Sequence, residues 1–440
     1  MYGILLFLTI SVLTPDDLIG FPRDTVFRIE ISSDSIQLLR RIANDTWGYF
    51  RDIVDKKTGL PLDHIRLSPE VEIGGYTSPT NIGLYIVSVI SAYDLGFIER
   101  EEALSRIRKA MSAVEEMEKF GEWLFNWYDL GPLRRSTDFI SVLDCSWFVI
   151  GLIIARQTYP EISHLCTGII DQHDFSFFYD DSVGHMRHGY DVRKGENSPY
   201  HYGLLCTESR AVSFLAIGKG DVPQEHYFRI HRVLPNSDVE GSLKDYLGVD
   251  VFEGYYRYKD IRIVPSWGGS LFEFLMPALF VNEKVFARNS LGKNDSLAAA
   301  IHIDYCLGEK GYPVWGMSPC CAPDYNYREY GVSLIGEKRD GYPDGIVTPY
   351  ASFLALDLLP NKVIKNIKNL LSYDIYGEYG FYDSVNPLTG AVAKIYLCLD
   401  QALILISLNN YLNSGVIRER FHRDEIGESI EDLISMEEFF

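Results

Sequence analysis

The chain has 440 residues, with 41 Lys and Arg against 61 Asp and Glu, so its formal net charge is −20. This charge argues against nucleic acid or an anionic membrane as the main partner, because phosphate binding draws on clustered basic residues. An apolar share of 47% excludes wholesale disorder. The seven cysteines contain no C-x-x-C pair, so the sequence predicts neither a disulfide framework nor a structural zinc site.

The N-terminus is apolar over residues 1–13, which is the length of a signal peptide, but the first positive charge is Arg23 and no Ala-x-Ala site follows. Pro15 ends the run well short of the roughly 20 apolar residues that a membrane span needs. We therefore expect an N-terminal leader over residues 1–33 and no stable membrane span. A cytoplasmic location is favoured, with secretion as the alternative if the run is a cleaved signal.

Two kinds of helical segment alternate along the rest of the chain. One kind is amphipathic or only weakly helical, and comprises residues 34–54, 99–119, 161–171, 222–233, 294–307 and 361–373. The other kind is apolar on nearly every side, and comprises residues 79–95, 139–155, 204–217, 270–281, 350–359 and 397–412. A helix without a polar face must be surrounded by protein. The alternation predicts an all-α fold, an (α/α)6 toroid with six inner and six outer helices.

The loops that connect these helices also alternate, between short and long. Those that lead into an apolar helix are long, and comprise residues 55–78, 120–138, 172–203, 234–269, 308–349 and 374–396. Loops of this length in a compact domain are usually functional. Because the inner helices run parallel, all the long loops emerge on one face, at the N-terminal ends of these helices. We expect that face to hold the active cleft of one catalytic domain over residues 34–412, followed by a charged C-terminal tail over residues 413–440.

Four apolar segments carry an acid near their start, and these acids are Asp144, Glu208, Glu273 and Asp400. Each could cap or pair within the helix layer, for instance Glu208 with Arg210, since acids are rarely buried without partners. Four acids at the same end of one toroid favour a catalytic role for these residues instead. Cleavage of a glycosidic bond needs two carboxyls across the bond, one protonated and one ionised.

The long loops are rich in aromatic residues, namely Trp123, Trp127, Tyr128, Tyr200, Tyr202, Trp267, Trp315, Tyr325, Tyr327 and Tyr330. Aromatic faces suit the apolar C–H faces of sugar rings, and Tyr hydroxyls can bond sugar hydroxyls. The alternative is that loops this long use aromatics as packing anchors. We favour sugar stacking for Trp127, Trp267 and Trp315.

No metal and no cofactor is predicted. His185-Met-Arg-His188 has a His-x-x-His spacing that matches no standard catalytic zinc site. Cys320 and Cys321 are adjacent, and neighbouring cysteines rarely chelate one ion.

Several stretches resemble the glycoamylase-like family, which includes endo-β-1,2-glucanases and the cyclising transglycosylase domain of cyclic β-1,2-glucan synthases. The matching stretches are residues 76–85, 126–129, 141–144, 202–211, 216–223, 266–277, 380–386 and 399–401, within a resemblance that runs from about 34 to 411. One loop departs from the family pattern. After Trp315-Gly316 relatives usually read Ile-Ser-Glu-Ser, whereas this chain reads Met317-Ser-Pro-Cys-Cys321, so an acid is missing there.

The resemblance implies an (α/α)6 fold and an endo-acting glycoside hydrolase or transglycosylase of β-1,2-linked glucan, with a glucan or oligosaccharide as partner and the oligomeric state left open. The implied catalytic residues are Glu208, Glu273 and Asp144. Expected substrate contacts are Trp127, Tyr128, Asp129, Tyr202, Arg210, Trp267, Trp315, Tyr330 and Asp400. Two alternatives stay open, namely action on another glucan or heteroglycan, and a non-catalytic glycan-binding protein. The stereochemistry of cleavage stays open as well.

Overall fold

The computed structural model describes residues 33–440, so the leader predicted over residues 1–33 lies, apart from Ser33, outside the described residues. The described part is rich in helices. In chain order they are α1 (Ser33–Asp52), α2 (Pro79–Asp94), α3 (Arg100–Glu116), α4 (Val142–Thr158), α5 (Pro160–Gln172), α6 (Arg210–Gly218), α7 (Glu225–Arg229), α8 (Leu271–Leu275), α9 (Glu283–Phe286), α10 (Leu291–Ile303), α11 (Pro349–Leu354), α12 (Pro360–Leu370), α13 (Cys398–Leu412), α14 (Val416–His422), α15 (Glu425–Glu428) and α16 (Glu431–Ser435).

The predicted alternation of helix types is present in most helices. The exception is α10, predicted as amphipathic over residues 294–307, which is buried on nearly every side because its polar Asn294 and Asp295 are buried too. In α3 the buried side chains recur at helical spacing, as in Ala103, Ile107, Ala110 and Val114, and the remaining face carries charges. In α2 nearly every residue is buried. That helix starts where Ser78 accepts a hydrogen bond from the Asn81 backbone N–H, with a proline at the first helical position.

The apolar helices contact one another in sequence. Helix α2 packs on α4 and α13, α4 contacts α6, and α11 contacts both α8 and α13. Glycines allow a close approach between α2 and α4. A Cβ on Gly83 would lie 2.3 Å from the Trp147 carbonyl oxygen, and one on Gly151 would lie 2.5 Å from the Gly83 carbonyl oxygen. Any larger residue at either position would force the two helices apart.

Some apolar helices are shorter than the sequence predicts. The segment predicted as one helix over residues 270–281 ends its α-helical part at Leu275, and a 3-10 turn over Pro277–Leu279 follows. Pro277 explains the break, since proline has no backbone N–H and its ring clashes with the preceding turn. The segment 204–217 is helical only from Arg210, which places Glu208 in the turn before the first residue of α6.

The all-α prediction was incomplete, because the long loops contain short antiparallel strands. They are His64–Arg66, Glu72–Ile73, Tyr76–Thr77, Lys119–Phe120, Trp123–Leu124, Tyr128–Asp129, Arg134–Arg135, Phe139–Ser141, Tyr179–Asp180, His185–Arg187, Gly189–Asp191, Glu196–Asn197, His201–Tyr202, Gly241–Tyr246, Val249–Gly254, Tyr256–Tyr258, Ile261–Ile263, Cys320–Cys321, Tyr327–Arg328, Tyr376–Gly377, Gly380–Phe381, Ser384–Val385, Val392–Ala393 and Ile395–Leu397. The longest pair is Gly241–Tyr246 with Val249–Gly254. Strand pairing gives the backbone groups of these loops the hydrogen-bond partners that buried chain requires.

The C-terminal segment, predicted as a charged tail, is folded against the rest of the described chain. Asp424 accepts two hydrogen bonds of 2.6 Å from the Arg156 guanidinium of α4. Glu437 is buried and forms an ion pair with the buried Arg232, while the Tyr227 hydroxyl donates to its carboxylate over 2.7 Å. These charges are paired inside the protein rather than solvated. Between residues 33 and 440, every helix is too short or too polar to span a bilayer.

Candidate active site

Two adjoining hollows lie at the N-terminal ends of the apolar helices. Hollow 1 has a volume of about 590 Å³, and its lining includes Asp63, His64, Tyr76, Trp127, Asp144, Cys321 and Tyr325. Hollow 2 has a volume of about 560 Å³, and its lining includes His188, Tyr200, Tyr202, Trp267, Glu273 and Tyr342. Glu208, Phe272 and Tyr327 line both hollows, so they mark the boundary between them.

The linings come from every long connection. Hollow 1 takes His64 from the loop before α2, Trp127 from the loop before α4 and Ile395 from the loop before α13. Hollow 2 takes Tyr200 from the loop before α6 and Trp267 from the loop before α8. The loop before α11 reaches both hollows through Tyr327. The long loops therefore meet on one face, over the starts of the apolar helices.

Glu208 stands at the boundary of the hollows on a short turn before α6. No side chain of the described residues donates a hydrogen bond to its carboxyl group, which is half-buried. Burial, assisted by the negative charge of Glu273, raises the pKa of Glu208 to about 7. This carboxyl can therefore hold a proton near neutral pH and release it into either hollow.

Glu273 lines hollow 2 and is only 5% exposed. It belongs to a capping box at the start of α8, in which the Ser270 hydroxyl and backbone N–H donate to Oε2 over 2.8 and 2.9 Å. The Ser266 hydroxyl donates to Oε2 over 3.0 Å, and the Gly268 N–H donates to Oε1 over 3.0 Å. Burial raises the pKa of Glu273, and these donors act in the opposite direction by favouring the ionised form.

Asp144 lies in the first turn of α4 and lines hollow 1. The Thr80 hydroxyl, from the first turn of α2, donates to its Oδ1 over 2.6 Å. Burial raises the pKa of Asp144, while the hydrogen bonds from Ser141 and Thr80 act in the opposite direction. The structure thus brings Asp144 and Glu208 to hollow 1, and Glu273 and Glu208 to hollow 2.

A polar cluster in hollow 1 was missed by the sequence analysis. Asp63 accepts a hydrogen bond of 2.9 Å from the Asn81 side chain, and its other oxygen lies 3.0 Å from Nδ1 of His64. Rings then follow edge to face from His64 to Tyr76, at 5.8 Å, and from Tyr76 to Trp127, at 5.4 Å. Asp63 lies in a long loop rather than in an apolar helix, so the hydrophobic pattern of the sequence did not identify it as a site residue.

Three of the predicted aromatic or polar contacts line a hollow. Trp127 lies in hollow 1, and Tyr202 and Trp267 lie in hollow 2. The Tyr202 ring stacks on His188 at 4.2 Å, whereas Trp267 leaves 43% of its surface open. Aromatic residues missing from the predicted contacts also line the hollows, namely Tyr76, Trp147, Tyr200, Phe272, Tyr325, Tyr327 and Tyr342.

The other predicted contacts do not line either hollow, and they are Tyr128, Asp129, Arg210, Trp315, Tyr330 and Asp400. Tyr128 is buried, and its hydroxyl donates to the Glu118 carbonyl oxygen over 2.6 Å. Asp129 is exposed and accepts from the nearby Gly131 N–H. Trp315 is only 2% exposed and belongs to the core, as does Tyr330. Loop aromatics here serve partly as packing anchors, the alternative considered above.

Arg210 and Asp400 are buried in polar networks and line neither hollow. The Arg210 guanidinium forms two hydrogen bonds to Glu283, of 2.7 and 2.8 Å, rather than pairing with Glu208. It also donates to the carbonyl oxygens of Glu273 and Phe274, which ties α6 to α8. Asp400 lies beside Asp383, whose negative charge adds to burial in raising the pKa of Asp400. Within residues 33–440 no group of three His, Cys, Asp or Glu side chains is arranged to hold a metal ion.

Comparison with protein families decides the classification. A family described as "putative glucoamylase" matches residues 206–425, which is half of the chain. The chain belongs to this family. The match includes Glu208, Glu273 and both strands of the Cys320–Arg328 hairpin. A second family, a protein of unknown function (DUF3131), matches residues 41–203, which include Asp63 and Asp144.

Similar proteins cover nearly the whole chain. It is 24% identical to the cyclic β-(1,2)-glucan synthase NdvB of Rhizobium meliloti over 93% of this chain and 19% of that protein. It is 21% identical to the exo-β-1,2-glucooligosaccharide sophorohydrolase of Parabacteroides distasonis over 85% of this chain and 54% of that protein. The chain thus spans about a fifth and about half of the lengths of these relatives. The endo-β-1,2-glucanase of Chitinophaga pinensis shares the fold, with a TM-score of 0.73 and 17% identity over 92% of this chain and 98% of that one.

Proposed function

We propose that this chain is a glycoside hydrolase or transglycosylase acting within β-1,2-linked glucan, with its catalytic site inside residues 34–412. The observation that carries the proposal is the position of Glu208, whose carboxyl group lies at the boundary of two sugar-sized hollows with a pKa raised to about 7. The β-1,2-glucan activities in the names of its relatives supply the substrate class.

We infer that the apolar helices close into an (α/α)6 toroid. The support is the series of contacts from α6 through α4, α2, α13 and α11 to α8. Between α8 and α6, the Arg210 side chain bridges the remaining step by donating to the carbonyl oxygens of Glu273 and Phe274. In a closed ring the starts of the helices face one common space, which is where both hollows lie.

We assign Glu208 as the proton donor and Glu273 as its ionised partner. The assignment follows from unequal surroundings, because two nearby carboxyls take opposite roles when their environments favour opposite protonation states. Glu208 has no hydrogen-bond donor from another side chain of the described part, whereas hydroxyl and backbone N–H groups surround the Glu273 carboxylate.

In the reaction, the bond between the anomeric carbon and the bridging oxygen breaks, and the Glu208 proton moves to that oxygen. The new bond to the anomeric carbon comes either from Glu273 or from a water or sugar hydroxyl that a carboxylate deprotonates. Asp144 is the third acid, placed in hollow 1 to position sugar or activate water. Trp127 in hollow 1 and Trp267 in hollow 2 would seat sugar rings on either side of the bond.

The test is incubation of the purified protein with linear β-1,2-glucan, followed by chromatography of the products and NMR of the first anomer formed. We expect shortened or rearranged glucan, and activity lowered by about 10²- to 10⁴-fold in Glu208→Gln and Glu273→Gln. The matched control is Asp250→Asn, an exposed acid outside both hollows, which should keep full activity. A folded protein that leaves β-1,2-glucan unchanged would refute the substrate class.

Another glucan or heteroglycan is the second candidate, and the loop that departs from the family pattern favours it. Pro319 from this loop lines hollow 2, and Cys321 lines hollow 1. The substituted residues therefore border the space where sugar would lie. A panel of oligosaccharides of different linkage, assayed with wild type and Glu208→Gln, separates this candidate from the first. Glycan binding that survives in Glu208→Gln, with no product from any substrate in wild type, would instead indicate a non-catalytic glycan-binding protein.

A further inference from the structure

A hairpin carries residues of both hollows over the site. Its strands are Cys320–Cys321 and Tyr327–Arg328, and Cys321 pairs directly with Tyr327. Cys321 lines hollow 1, and Tyr327 lines both hollows. More than half of the Tyr327 surface is open to solvent. The position of the Tyr327 ring therefore depends on the backbone at the base of the hairpin as well as on the contacts of the ring.

The base is held by residues that lead into α13 and α11. The Cys321 backbone N–H donates to Oδ2 of Asp383 over 2.6 Å, and the Ser384 hydroxyl donates to the Cys321 carbonyl oxygen. The Tyr350 hydroxyl donates to the Pro319 carbonyl oxygen over 2.7 Å. Asp383 is the one acidic group among these contacts.

Behind Asp383 lies a second buried acid. Asp383 is 1% exposed and Asp400, in the first turn of α13, is 2% exposed. Oδ1 of Asp383 and Oδ2 of Asp400 have no hydrogen-bond donor in the described part of the chain. Two buried carboxylates side by side cannot both be ionised, and a single proton between them satisfies both oxygens. Burial raises the pKa of both groups, that of Asp383 to about 6, and the charge of Asp383 adds to the rise in the pKa of Asp400.

We propose that Asp383 and Asp400 share one proton and are positioning residues, which hold the Cys320–Arg328 hairpin so that Tyr327 stays at the boundary of the hollows. Protonated Asp400 donates to Asp383, and ionised Asp383 accepts from the Cys321 N–H. Charge-assisted hydrogen bonds of this kind are about twice as strong as neutral ones. The consequence for sugar binding rests on the proposed function, whereas the proton and the hairpin contact do not.

The shared proton is tested without any substrate. The infrared spectrum of wild type minus that of Asp400→Asn at pH 8 should contain the C=O band of a protonated carboxylic acid. The substituted amide keeps the size and the hydrogen-bond donor of the protonated acid, so this variant should fold. Absence of the band would overturn the shared proton, since Asp400 would then be ionised.

The hairpin contact is tested by hydrogen exchange of the peptide that contains Cys321. Wild type and Asp400→Asn should protect this amide equally, whereas Asp400→Leu, which removes the donor, should exchange about tenfold faster there. Equal protection in folded Asp400→Leu would refute the positioning role. Should Asp400→Leu fail to fold, Ser384→Ala combined with Asp383→Asn provides the weakened hairpin base.

The kinetic test separates positioning from general stability. We expect Asp400→Leu to raise KM about tenfold with a smaller change in kcat, Asp400→Asn to match wild type, and Tyr327→Ala to have no additional effect in the Asp400→Leu background. Additive effects of Asp400→Leu and Tyr327→Ala would show that the pair does not act through Tyr327. If no glycan is a substrate, the infrared and exchange results still decide the proton and the hairpin contact.

Discussion

Glu208 and Glu273 line the same hollow, and the charge of Glu273 adds to burial in raising the pKa of Glu208 to about 7. The two groups differ in hydrogen bonding, because Glu273 caps α8 and accepts from Ser266, Gly268 and Ser270. Glu208 has no comparable donors among the described residues. One carboxyl is therefore suited to carry a proton, and the other to carry charge.

The pH dependence of activity should follow from this difference. A proton donor must be protonated in the free enzyme, so kcat/KM should fall as the pH rises above about 7, the pKa of Glu208. The measurement is kcat/KM on β-1,2-glucan between pH 4 and pH 10. An alkaline limb centred near pH 4.5 would contradict the assignment of Glu208 as the acid.

Replacing Glu273 by Gln should shift the alkaline limb of the pH profile, which is the range over which kcat/KM falls as the pH rises. The variant removes the negative charge that raises the pKa of Glu208, so the limb of the residual activity should shift to lower pH. The control is Asp250→Asn, which removes an exposed carboxyl outside both hollows and should leave the alkaline limb in place. An unmoved limb in Glu273→Gln would show that burial alone raises the Glu208 pKa.

Stability should change with pH through the same group. The pKa of Glu208 is raised from 4.5 to about 7 in the folded state, so the protonated carboxyl contributes stability below about pH 4.5 that is lost as the pH rises through 7. Glu208→Gln cannot ionise. Its stability relative to wild type should therefore increase between pH 5 and pH 8, by on the order of 2 kcal/mol. Urea unfolding at both pH values measures this difference, and a constant difference would refute it.

The hydrogen bond from Thr80 to Asp144 should matter for activity. Thr80→Val keeps the shape of the side chain but removes the hydroxyl that donates to Oδ1 over 2.6 Å, which disfavours the ionised form of Asp144. We expect kcat/KM to fall by about tenfold, which corresponds to ~1.4 kcal/mol. Thr80→Ser keeps the hydroxyl and should retain most of the activity. Equal losses in the two variants would mean that packing, not the hydrogen bond, is responsible.

Arg210 should be a stability residue. Arg210→Met leaves the fully buried Glu283 without its partner and should lower the free energy of unfolding by about 3–5 kcal/mol. The double variant Arg210→Met with Glu283→Leu should recover part of this loss, since the unpaired Glu283 is removed. Asp295, which lies 3.7 Å from the guanidinium in wild type, still lacks its partner. The comparison is Arg423→Ala, which breaks an exposed pair with Glu419 and should cost less than about 1 kcal/mol. Denaturant unfolding distinguishes these cases.

Helix order, and helix type for every helix except the buried α10, could be read from the sequence because burial leaves a periodic pattern. Segments such as α2 and α13 lack a polar face, and α3 and α12 have one. The placement of Glu273 and Asp144 in first turns also followed, since both acids occur at the starts of apolar runs. The same rule predicted Asp400 as a substrate contact, but Asp400 lies beside a second buried carboxyl, that of Asp383, and lines neither hollow.

The sequence by itself determined the alternation of helices, the face where the long loops meet, and Glu208, Glu273 and Asp144 as acids of that face, since these features depend on period and on distance along the chain. Only the tertiary structure decided that Arg210 pairs with Glu283, that Trp315 belongs to the core and that Asp63 and His64 enter hollow 1. Those outcomes depend on contacts between side chains that are far apart in the sequence, and local sequence patterns do not determine such contacts.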